Sequence, residues 1–89
     1  MLAGSEKKND LDDTEHMLIT LAKQDKLIKK RVVVVIMERV IQLWIELKIE
    51  SQPHGNWQFT EQDKKALQSE PGKVKHLLSA IESRALPIH

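Results

Sequence analysis

Leu18, Leu21, Ile28, Val32, Val35, Ile36, Val40, Leu43 and Leu47 recur mostly at spacings of three, four or seven residues. That is the repeat of one face of an α-helix, which turns about 100° per residue. No glycine or proline interrupts the chain between Ser5 and Gln52, so nothing local ends such a helix. The pattern predicts helix from about residue 11 to about residue 49. Asp10, Asp12 or Asp13 caps it, and Glu15 adds negative charge to its first turn. Residues 1–9 are small and polar and are expected to fray.

A continuous helix over that span would run about 60 Å, longer than a globule of this size is wide. Two resolutions are open. Either the polar stretch Ala22–Lys26 breaks the helix and folds residues 11–22 back as a hairpin, or the long helix pairs with a second chain. Val32, Val33, Val34, Val35 and Ile36 are consecutive β-branched residues, which favour strands. Ile45, Leu47 and Ile49 alternate with Glu46, Lys48 and Glu50, and Trp57 and Phe59 flank Gln58, so a β-hairpin within residues 45–60 is the alternative. Length and the continuing stripe favour helix, and an apolar run all round suits a fully buried turn.

Ser51–Asn56 contains Pro53 and Gly55 and reads as a loop. Thr60, with Glu61 and Asp63 after it, reads as the cap and acidic first turn of a short helix over Lys64–Gln68. Pro71 opens the last helix, which carries Val74, Leu77, Leu78 and Ile81 on one stripe to Ala85 before Pro87 stops it. The expectation is an all-α fold: a long N-terminal helix, possible to break near 22–26, and two shorter C-terminal helices. One helical domain would span residues 10–86 between tails at 1–9 and 87–89.

At 89 residues, a single core stabilises a fold only marginally, which makes self-association a live expectation. The chain has no cysteine, excluding disulfides and thiolate chemistry. The first ten residues lack the apolar run of a secretory signal. Val32–Met37, the longest apolar run, is far short of the roughly 20 residues a spanning helix needs. A cytoplasmic protein without membrane contact is expected. Charged residues make up 30% but cancel to +1, so bulk charge does not nominate nucleic acid as a partner.

Lys23, Lys26, Lys29, Lys30 and Arg31 are the strongest local charge feature, suited to a phosphate backbone or an acidic protein surface. Their bland reading is a solvated helix face partly neutralised by Asp25. Trp57 and Phe59 are either partner anchors or a lid folding back over Trp44 and Leu47. Val33, Val34 and Met37 point away from Val32, Val35 and Ile36, which leaves a second apolar face and makes them the candidate dimer interface. The histidines, His16, His54, His76 and His89, include no pair sharing a helical face, and the chain has no glycine-rich phosphate loop or nucleophile elbow. No metal, cofactor or catalytic residue is expected. Phe59–Leu67 (FTEQDKKAL) resembles a short stretch of a phage anti-sigma factor of similar size and helical make-up. The resemblance covers nine residues and no function is carried over from it. The functional expectation is a small helical protein-interaction module or regulator acting as a homodimer. The rival is a transcription regulator that binds DNA or RNA polymerase through residues 23–31.

Overall fold

The computed structural model describes residues 3–24 and 30–86. Within them lie α1 (Ala3–Lys23), α2 (Lys30–Ser51), α3 (Glu61–Ser69), a one-turn 3-10 helix (Pro71–Lys73) and α4 (Val74–Ala85). The fold is all-α, with no strand among the described residues. The alternative hairpin at 45–60 does not form: residues 45–51 finish α2, and Gln52 N–H still donates to Lys48 O at 2.6 Å. Ile41, Trp44 and Ile45 are buried while Gln42, Leu43 and Glu46 are exposed, a three- and four-residue spacing that is helical sorting rather than strand alternation.

Of the two ways to accommodate a long helix, the chain shows the break. α1 ends at Lys23, where Gln24 N–H donates to Leu21 O at 3.1 Å, and it packs along α2. At about 1.5 Å per residue, the 22 residues of α2 fit the 37 Å longest extent of the molecule. α1 also starts at Ala3, well upstream of the expected residue 11, so residues 3–9 continue the helix instead of fraying from it. Glu6, Lys7 and Lys8 are good helix formers, and a polar helical turn has no apolar stripe by which to announce itself.

The valine run is the main departure from expectation. It is not buried all round: Val33 and Val34 are 0% and 6% exposed, whereas Val32, Val35 and Ile36 are 49%, 48% and 39% exposed. Val33, Met37, Ile41 and Trp44 form the inward stripe of α2, and the core is completed by Leu18 of α1, Leu67 of α3 and Val74, Leu78, Ile81 and Ala85 at and along α4. Burying the two inward valines offsets the rotamer restriction that β-branching costs in a helix.

Trp44 and Trp57 meet edge to face, 6.1 Å between ring centroids at 87°. The Trp57 indole N–H donates to Gln52 O at 2.9 Å, so the loop ring is anchored at its polar atom as well. A Cβ at Gly55 would collide with the Trp57 indole nitrogen and lie 2.8 Å from Cε2, which is why this turn carries no side chain. Asn56 N–H donates to Ala85 O at 2.8 Å and ties the loop to the end of α4.

α3 opens on a capping box. Asp63 N–H donates to Thr60 Oγ1 at 3.2 Å, and Thr60 N–H donates to Asp63 Oδ2 at 3.0 Å. Arg84 of α4 grips the same carboxylate with two bonds, at 3.0 and 2.7 Å. Burial alone would push the Asp63 carboxyl up, but the Arg84 fork, the Thr60 bonds and the arginine's charge outweigh it and hold the group below the ordinary carboxylate value.

Candidate interaction surface

Helix α2 lies between α1 and α3. An open groove on one flank is lined by Thr14 and Met17 of α1 and by Val40, Leu43 and Leu47, with Asp10 and Asp13 at its rim. A second groove, on the other flank, is lined by Arg31, Val34, Val35, Glu38 and Gln68. Between them runs the outward face of α2. At about 100° per residue, Val32, Ile36 and Leu43 fall within about 40° of one another. Leu43 is 49% exposed, and Met17 beside it is 50% exposed, so the apolar surface continues onto α1.

Charge along this face is mixed. Arg39, Glu46 and Glu50 are exposed on it, and Arg31 and the half-buried Glu38 line the groove on its α3 side. None of these five is ion-paired with another described residue. Asp10 and Asp13 border the same groove as Leu47, which adds acidic groups at the Glu46–Glu50 end.

The residues singled out from sequence are distributed differently from expectation. Lys26 and Lys29 lie outside the described residues, and Lys30 is the first residue of α2. Lys23 is exposed at the end of α1 and shares a groove with Gly72 and Lys75, while Arg31 lines the α2–α3 groove. Trp57 is 5% exposed, packed on Trp44, with the Lys48 ammonium 5.6 Å from its ring centroid. It closes the core, as the second of its two readings holds. Phe59 is half-buried, with Lys64 Nζ 5.9 Å from its centroid.

Val33, Val34 and Met37, the expected dimer interface, are in the chain's own core, and the surface left over is the opposite one, around Val32, Val35 and Ile36. The sequence carried a signal for this assignment. Between Lys30 and Lys48, the stripe Val33–Met37–Ile41–Trp44 contains no charge, whereas the sector of Val32, Ile36 and Leu43 also contains Arg39, Glu46 and Glu50. The charge-free stripe belongs inside.

No group of three or more His, Cys, Asp or Glu side chains is placed to hold a metal ion among the described residues. None of the helices among them is long and apolar enough to cross a membrane. The chain matches no known protein family, no curated protein and no solved structure.

Proposed function

We propose that the protein acts by binding, as an interaction module that docks the outward face of α2 on another macromolecule. One observation carries this reading: Val32, Val35, Ile36 and Leu43 stand 39–49% exposed along a single helix. Contiguous apolar surface of this kind costs solubility in a free monomer and marks interaction sites. The open grooves on either flank of α2 give a partner's side chains somewhere to insert.

Photo-crosslinking tests the reading. A crosslinking amino acid at Ile36 or Leu43, in the cell that makes the protein, is expected to trap a macromolecule. The same group at exposed Lys65 or Ser79 serves as the control. Equal trapping at all four positions would contradict an interaction face on α2.

A second reading, a transcription regulator that contacts DNA or RNA polymerase through residues 23–31, is favoured by one observation. Lys23 shares its groove with Lys75, and Lys73 lies close by in sequence, so the cations extend past the basic segment. Direct binding to duplex DNA would weaken steeply with salt. Absence of binding to unrelated duplex DNA at low salt would remove that form of the reading.

A further inference from the structure

We draw no further inference here: the strongest candidate, the outward apolar face of α2 with the groove it shares with α1, belongs to the surface already described, and nothing in the structure shows what covers it.

Discussion

Replacing Asp63 by Ala should destabilise the protein by about 2 kcal/mol, a large share of the stability of a domain this small. Two losses combine. The capping box disappears, leaving Thr60 N–H without its acceptor, which costs about 1 kcal/mol. The two bonds to Arg84 go as well, and a charged, bidentate pair of this kind is worth more than that when dry. The Arg84 side chain is 49% exposed, however, so water takes over its donors, and about 1 kcal/mol is the appropriate share. For a domain of this length, about 2 kcal/mol corresponds to a fall in Tm of roughly 8–16 °C. Urea unfolding followed by tryptophan fluorescence measures it, because Trp44 and Trp57 are both buried. A double-mutant cycle with Arg84→Ala should return a coupling of about 1 kcal/mol. A single-variant loss under about 0.5 kcal/mol, or a coupling near zero, would refute the reasoning. The pH dependence has a definite sign. The Asp63 carboxyl is held below its unfolded value of about 3.9, so its stabilisation is present above about pH 4 and is lost as pH falls through the folded value. Asp63→Asn should therefore flatten the acid side of the stability profile, and an unchanged acid limb would count against the pairing.

The two glycines should respond oppositely to alanine. Gly55→Ala forces a methyl into the Trp57 ring and should cost about 1–3 kcal/mol, whereas Gly72, with nothing within 4 Å of its would-be Cβ and no positive φ, should tolerate alanine or gain about 0.4–1 kcal/mol. Thermal melts of the pair check this, and equal losses would count against the packing around Trp57. On α4, Ile81→Ala should cost about 2–5 kcal/mol, because Ile81 is 1% exposed, while half-buried Leu77 should cost clearly less. Denaturant midpoints of the two variants in the opposite order would contradict the orientation of α4.

Where neighbours in sequence determine the structure, the fold was legible. Thr60 and Asp63 are three residues apart, so their capping box can be read from the chain, and α3 begins at Glu61 beside it. Leu78 and Ile81 mark the inward side of α4 by spacing alone, although Pro71–Lys73 form a 3-10 turn before the α-helix starts. What the chain conceals is what distant residues decide. Arg84 lies 21 positions from Asp63, and nothing local says that an exposed-looking arginine grips a cap carboxylate. The faces of α2 were harder still. Both sides of the valine run are apolar, so hydrophobic spacing cannot choose between Val33 and Val32. The choice falls to Trp44 and Ile41, which extend the first stripe into the core, and to Arg39, Glu46 and Glu50, which need water or a charged partner on the second. The start of α1 escaped for the opposite reason, since Glu6, Lys7 and Lys8 carry propensity without pattern.

A paired glutamate scan along α2, read as thermal midpoints by circular dichroism, tests most directly the division of this helix into a core face and a binding face. Val33→Glu, Met37→Glu and Ile41→Glu each bury an unpaired charge at a position 0% exposed, and they should abolish cooperative folding. Val32→Glu, Ile36→Glu and Leu43→Glu place the charge on the outward side, where the isolated chain should keep its helical signal and a cooperative melt. Outward variants that unfold as completely as the inward ones, or inward variants that melt like wild type, would contradict the division on which the binding surface rests.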